Sequence, residues 1–309
     1  MVDASAAPVV VALGGNTLLG RHGPWTAAEE VAAVERTARR LADALDDGYN
    51  LLLTHGNGPQ VGNLLVQQES APETPQHPLD VLVAETQAGI GYLLQRALDN
   101  EREGVTEALT LVTQVVVDAD DPAFDDPTKP VGPFYTEAEA SSKSFETRAV
   151  GDGERPYRRV VPSPDPVAVV EADEIARLVE RGNLVICGGG GGVPVVRDEG
   201  LRGVAAVVDK DHTAELLASN VGAETLVLLT DVEYAYVNYG DPDARPLREV
   251  SAATLRRHLE AGAFAPGSMR PKVEACCRFV EGDGRRAVIT TPERLTDALA
   301  GDAGTRAFA

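Results

Sequence analysis

Residues 9–20 read VVVALGGNTLLG and residues 51–63 read LLLTHGNGPQVGN, and these two stretches decide the fold. Each begins as a short, uniformly apolar run and stops abruptly at glycine and asparagine. Such runs are the pattern of strands buried on both faces, as in a parallel sheet. Four more follow at 109–117, 184–187, 225–229 and 287–290, and between them residues 26–47, 80–100, 172–181, 251–261 and 268–281 carry helical spacing. The alternation predicts an α/β fold: an open, mainly parallel, doubly wound sheet with helices on both faces.

The ends of the first two runs carry the first chemistry. Gly14, Gly15 and Asn16 close one, and Gly56, Asn57, Gly58 and Gly62 follow the other at the start of a helix. Glycine lets the backbone approach a ligand closely, and asparagine adds a side-chain donor. A helix start offers unpaired N–H groups and the positive end of its dipole to an anion. His55 reads either as a base or as a packed, hydrogen-bonded histidine. A third run, Gly188 to Gly192, is costly in conformational entropy and suggests backbone approach to a phosphate or a metal-bound oxygen. Neither GxxxxGK[ST] nor GxGxxG occurs, which disfavours a P-loop enzyme and a Rossmann dehydrogenase.

Lysine is scarce: Lys129, Lys143, Lys210 and Lys272 are the only four among 28 basic residues. Where arginine has taken nearly every other basic position, the retained lysines are candidates for work that needs a compact ammonium. Lys210, in VVDKDHTAELLA (207–218), and Lys272, in APGSMRPKVEACCRFVE (265–281), both fall near helix N-termini. Two ammoniums aimed at one phosphoryl group would compensate the charge of a loose transition state. Asp209 and Asp211 flank Lys210, either as ordinary helix-cap residues or to orient the ammoniums or assist with Mg²⁺. Lys129 lies between prolines in DDPTKPVGPFYT (125–136), which stiffen its presentation. Lys143 sits in a polar run and reads as a solvated residue.

Residues 118–166 break the alternation with eight prolines among charges. Phe134, Tyr135, Tyr157, Val160 and Val161 supply a minor core, so the stretch reads as a folded, protruding lobe. The 48 acidic residues leave a formal charge of −20, which argues against nucleic acid or an anionic membrane as partner. Acid excess with little lysine also fits work in concentrated salt, where surface repulsion is screened. Cys187, Cys276 and Cys277 have no metal spacing and form no even disulfide framework, which points to a reducing compartment. The first residues have no basic region of a signal peptide, and no apolar run approaches the roughly 20 residues of a membrane span.

Taken in order, VVVALGGNT, THGNGPQVGN, DPTKPVGPFY, ICGGGGGVPVV, VDKDHTAELLA, LLTDVEYAYVNYG and APGSMRPKVEA resemble the carbamate kinases of the amino acid kinase family. The proline-flanked Lys129 separates that branch from its relatives. The resemblance implies a cytoplasmic homodimer with an αβα sandwich. Residues from about 8 to 200 would form a substrate-side half, and those from about 201 to 309 a nucleotide-side half. It implies reversible phosphoryl transfer between carbamoyl phosphate and ADP, with Mg²⁺ on the nucleotide phosphates rather than on protein ligands, in arginine fermentation.

Carried over by position, Lys210 and Lys272 would bind the transferring group and Asp211 would organise them. Gly14, Gly15, Asn16, Gly56, Asn57 and Gly58 would hold the substrate, and Lys129 would reach it from the lobe. The nucleotide would lie near Asp231, Tyr236, Val237 and Asn238, and near Ala265, Pro266, Gly267 and Met269. Thr17, His212 and Arg270 depart from the usual pattern without removing a required group. Two other readings are a kinase for another small carboxylate and a nucleotide-sensing protein that keeps the fold. The tight glycine turns speak against the bulkier acid, and the retained lysines against the sensor.

Overall fold

The computed structural model describes residues 7–15, 26–102 and 108–309. Asn16 and Thr17 lie outside them. The apolar run Val9–Leu13 is β1, and Thr26 begins α1 (Ala27–Asp46) with a capping box shared with Glu29. Then come β2 (Leu51–His55), α2 (Gly58–Ser70), α3 (Leu79–Glu101), β3 (Ala108–Thr110) and β4 (Gln114–Val117). The lobe contributes β5 (Lys129–Tyr135), α4 (Glu137–Ser141), β6 (Thr147–Ala149) and β7 (Tyr157–Val161). After it run β8 (Pro166–Val169), α5 (Ala172–Glu180), β9 (Leu184–Ile186), β10 (Val193–Arg197), β11 (Leu201–Gly203) and α6 (Lys210–Asn220). The chain continues through β12 (Thr225–Leu229), β13 (Ala235–Val237), β14 (Arg245–Leu247), β15 (Glu249–Ser251), α7 (Ala252–Glu260) and α8 (Met269–Glu281). It closes with β16 (Arg286–Thr290), α9 (Leu295–Ala300) and β17 (Thr305–Phe308).

The main sheet has the order β15-β17-β16-β12-β1-β2-β9-β3 and is parallel at every described pairing except β16 with β17. Strand alternation sends Val10, Ala12, Leu226 and Leu228 to the face packed by α6 and α8, and Val9, Val11, Val227 and Leu229 to the face packed by α1 and α3. Both faces are apolar because helices cover both, so the strands read as continuous apolar runs. Strand order reverses around β1, where the carboxyl ends of parallel strands leave a crevice for a ligand.

The single strand expected at 109–117 is two strands in different sheets. The chain breaks at Leu111–Thr113 because Gln87 clamps Thr113, accepting from its N–H at 2.8 Å and donating to its carbonyl at 3.1 Å. Gly188 N–H adds a bond to Thr113 Oγ1 at 2.9 Å. Beyond the break β4 joins a second sheet of order β11-β10-β4-β8. The lobe is a three-stranded antiparallel sheet, β5-β7-β6, whose Val131 and Val161 join Val61 and Leu65 of α2 in a small core.

Lys143 is not the solvated residue the sequence suggested. Its ammonium binds Glu69 Oε2 at 2.8 Å and lies 4.5 Å from the centre of the Tyr135 ring, an ion pair combined with a cation–π contact. Tyr135 also donates to Glu69, so the lobe is tied to α2.

Candidate active site

The ends of β1 and β2 open onto a cavity of about 310 Å³, bounded by Gly14 and Gly15, by Gly56, Asn57 and Gly58, and by Lys129, Lys210, Asp211 and Lys272. Gly56 shows why the motif needs glycine. A Cβ there would stand 2.9 Å from Gly15 N, so only a residue without one lets the two strand-end turns close on each other. Asn57 begins α2 but places no capping bond on it; its amide instead donates to Thr86 Oγ1 at 2.8 Å. The first N–H groups of α2 are thus left without a side-chain cap beside the cavity, the arrangement that favours an anion.

Across the cavity stand α6 and α8. Asp209 caps α6 by accepting from Asp211 N–H at 2.9 Å, which sets Lys210 and Asp211 in its first turn. Asp211, buried at 3% exposure, receives Lys210 Nζ on one oxygen at 2.5 Å and Lys272 Nζ on the other at 3.0 Å. One carboxylate therefore holds two ammoniums side by side that would otherwise repel. Burial works to raise the Asp211 pKa, but the two lysines outweigh it and hold the carboxyl well below the usual range. The lysines split: burial and the Lys272 charge push Lys210 below an ordinary lysine, whereas for Lys272 the Asp211 contact overcomes burial and raises it. Lys129 reaches down from β5 to Asp209 Oδ2 at 3.0 Å, which keeps that carboxyl below its ordinary value against the opposing effect of burial. Both carboxylates flanking Lys210 are committed to lysines, and the described residues hold no cluster of three or more His, Cys, Asp or Glu able to bind a metal.

Of the residues expected on the nucleotide side, Asp231 and Gly267 border the same cavity. Tyr236, Val237, Asn238, Ala265, Pro266 and Met269 do not. Tyr236 and Val237 lie in the β13–β14 hairpin, where Asn238, at φ 59°, donates to Asp243 at 2.7 Å. Ala265 accepts from Arg270 N–H at 3.2 Å in the turn before α8, and Met269, the first residue of that helix, packs on the core. Thr230 and Ser268 also border the cavity and were missed, although Thr230 directly follows a buried strand and Ser268 a glycine.

One open reading is decided and another changes. His55 is 1% exposed with Nδ1 3.1 Å from Gly56 O, and burial lowers its pKa to about 4, so it is the packed histidine and not a base. The glycine run is required mainly by packing: Cβ atoms at Gly189, Gly190 and Gly191 would lie 2.4, 2.1 and 2.1 Å from His55, Asn57 and Val208. Only Gly190 borders the cavity.

The amino acid kinase family model matches residues 7–291. The chain is 54% identical to a carbamate kinase of Halobacterium salinarum, covering 96% of each, and 48% identical to one of Thermococcus kodakarensis, covering 96% of this chain and 98% of that one. A solved carbamate kinase of Giardia lamblia bound to AMP-PNP superposes with a TM-score of 0.92 at 39% identity, over 99% of both chains. The match extends through the lobe and the lysine-bearing helices, and the chain belongs to the amino acid kinase family, on its carbamate kinase branch.

Proposed function

We propose that the chain catalyses reversible phosphoryl transfer between carbamoyl phosphate and MgADP, giving ATP and carbamate. The observation that carries this reading is the bridge of Lys210 and Lys272 through Asp211, facing the glycine turns of β1 and β2 with Lys129 overhead. A transferring phosphoryl group bears charge on its equatorial oxygens, and the protein's task is to position it and compensate that charge. The two lysines supply the compensation. Asp211 holds them pre-aligned, so no reorganisation is needed as the phosphoryl group passes from the acyl oxygen to the nucleotide and its electron pair stays on the departing carbamate oxygen. The glycine turns and the start of α2 hold the carbamoyl end and the non-transferring oxygens, with Asn16 assigned there by resemblance. Lys129 closes over the substrate from the lobe.

Mg²⁺ enters with the nucleotide as part of the substrate, since the carboxylates beside Lys210 are already paired. The nucleotide occupies the side of Asp231 and Gly267, with its base toward the β13–β14 hairpin and the turn at Ala265 and Pro266. Homodimer formation, a cytoplasmic setting at the end of arginine fermentation, and adaptation to high salt are extensions of the same reading. They rest on family resemblance and, for salt, on the charge of −20. Among the described residues no helix is long and apolar enough to cross a membrane.

The test is ATP formation by the purified protein from carbamoyl phosphate and MgADP, at low and at multimolar KCl. Rapid synthesis is expected; none at any salt from folded protein would overturn the reading. Light scattering on the eluted protein tests the dimer, for which twice the mass of the 32.6 kDa chain is expected.

A further inference from the structure

We propose that His212 is a positioning residue for phosphoryl transfer, pinning the base of the protruding lobe to the two helices that carry Lys210 and Lys272. The proposal rests on the reading of the cavity as a carbamate kinase site. His212 follows Asp211 in the first turn of α6 and is 9% exposed. It does not line the cavity. Nδ1 lies 3.0 Å from Oδ1 of Asp165, and the buried Nε2 lies 3.4 Å from Oε2 of Glu274 without a well-aligned hydrogen bond.

The placement of the two partners gives the contact its meaning. Asp165 is the residue before β8, where the chain returns from the lobe to the body. Its N–H donates to Asp121 Oδ2 at 3.1 Å, and Asp121 lies on the outgoing connection, so one hydrogen bond joins both roots of the lobe. Its other oxygen receives Arg278 of α8 at 3.0 Å. Glu274 is in α8 two residues beyond Lys272, and Arg270 binds its second oxygen at 2.8 Å. The charged groups around the imidazole are therefore Asp165 from the lobe root, Glu274 and Arg278 from α8, and Asp209 and Glu215 from α6 itself.

A tilt at the root is carried to Lys129, which pairs with Val161 four residues before Asp165. Lys129 stands at the lobe's first strand and meets Asp209 only if the lobe sits down on α6. Holding Asp165 against His212 fixes the root three residues from the N-cap that Lys129 must reach, so the imidazole acts on substrate binding through Lys129 rather than by contact. The depth of the small core formed by Val131, Val161 and α2 sets how close the lobe comes; the His212 pin sets its inclination.

The experiment compares the wild type with His212→Ala, His212→Asn, whose amide can occupy the place of Nδ1, and Asp165→Ala, which removes the contact from the lobe side. Hydrogen–deuterium exchange is followed in β5 and β7, and KM and kcat are measured for carbamoyl phosphate and MgADP. Both alanine variants should exchange faster in β5 and β7 and raise the KM for carbamoyl phosphate about tenfold, with kcat and the KM for MgADP little changed. His212→Asn should restore both. Wild-type exchange in the alanine variants, or a loss of kcat with KM unchanged, would overturn the proposal. The exchange comparison decides the pin even if the wild type makes no ATP from carbamoyl phosphate, a result that would overturn the functional reading instead.

Discussion

Lys210, Asp211 and Lys272 form one electrostatic unit, in which each charge is tolerated in a buried place because the others are there. On the proposed function, removing either ammonium takes away charge aimed at the transferring group while leaving the fold's apolar packing in place. Lys210→Ala and Lys272→Ala should each lower kcat by about 100- to 1,000-fold, measured by ATP formation, with an unchanged circular dichroism spectrum. Turnover near that of the wild type in either variant would remove the assigned role. These residues were legible in the sequence because their chemistry is local: a helix cap beside one lysine, a glycine turn before the other, and almost no lysine elsewhere. Their pairing was not legible, since Asp211 and Lys272 are 61 residues apart and meet only when α6 packs on α8.

At the scale of elements, the turn after β9 shows how a motif can be seen and its reason mistaken. Five consecutive glycines suggested a phosphate cradle, but they make room for the side chains of Leu217, His55, Asn57 and Val115 and for the backbone carbonyl of Val208. Gly190, at φ 66°, has the Asn57 amide 2.1 Å from where a Cβ would be. Gly190→Ala should therefore destabilise the protein by about 2–5 kcal/mol in denaturant unfolding, from left-handed backbone strain and overpacking together. A wild-type midpoint would show that the turn relaxes freely.

The joint between α6, α8 and the lobe root has its own pH signature. Burial lowers the His212 pKa, but the Asp165 contact outweighs it and leaves the imidazole above its ordinary value. The His212 hydrogen bond, helped by Arg278, holds Asp165 well below the usual carboxylate range. The raised group contributes stability that is fully present below about pH 6.5 and fades as pH rises through the folded pKa. The depressed group contributes above about pH 4 and fades only in strong acid. The thermal midpoint of the wild type should thus exceed that of His212→Gln by most between about pH 4 and pH 6.5, and the gap should shrink toward about pH 9. A gap independent of pH would mean the imidazole is held neutral.

The whole molecule carries a charge of −20, and its arginines are spent largely on exposed pairs such as Arg256 with Glu281 and Arg148 with Asp126. Exposed pairs contribute little, and the net repulsion acts against the folded state until salt screens it. Screening shortens the reach of charge from about 10 Å at 0.1 M to about 3 Å at 1 M. The thermal midpoint should therefore climb through that range of KCl and continue upward, read by differential scanning calorimetry. A midpoint that is flat or falling with salt would remove the case for adaptation to brine.

The sequence by itself determined the α/β class, the two strand-end turns, the lobe and the three lysines that border the cavity, because each is written in a few neighbouring residues by periodicity, turn chemistry or composition. It did not determine that Leu109 and Val117 lie in different sheets, that His55 is buried beyond any catalytic use, that Lys143 is packed, or that Lys129 meets Asp209 across 80 residues. Those outcomes depend on which surfaces come together and on how much water they exclude, and burial is a property of the assembled chain. The same five-residue glycine run reads as a ligand cradle in one dimension and as a packing necessity in three, because only the tertiary structure reveals what stands where the missing side chains would be.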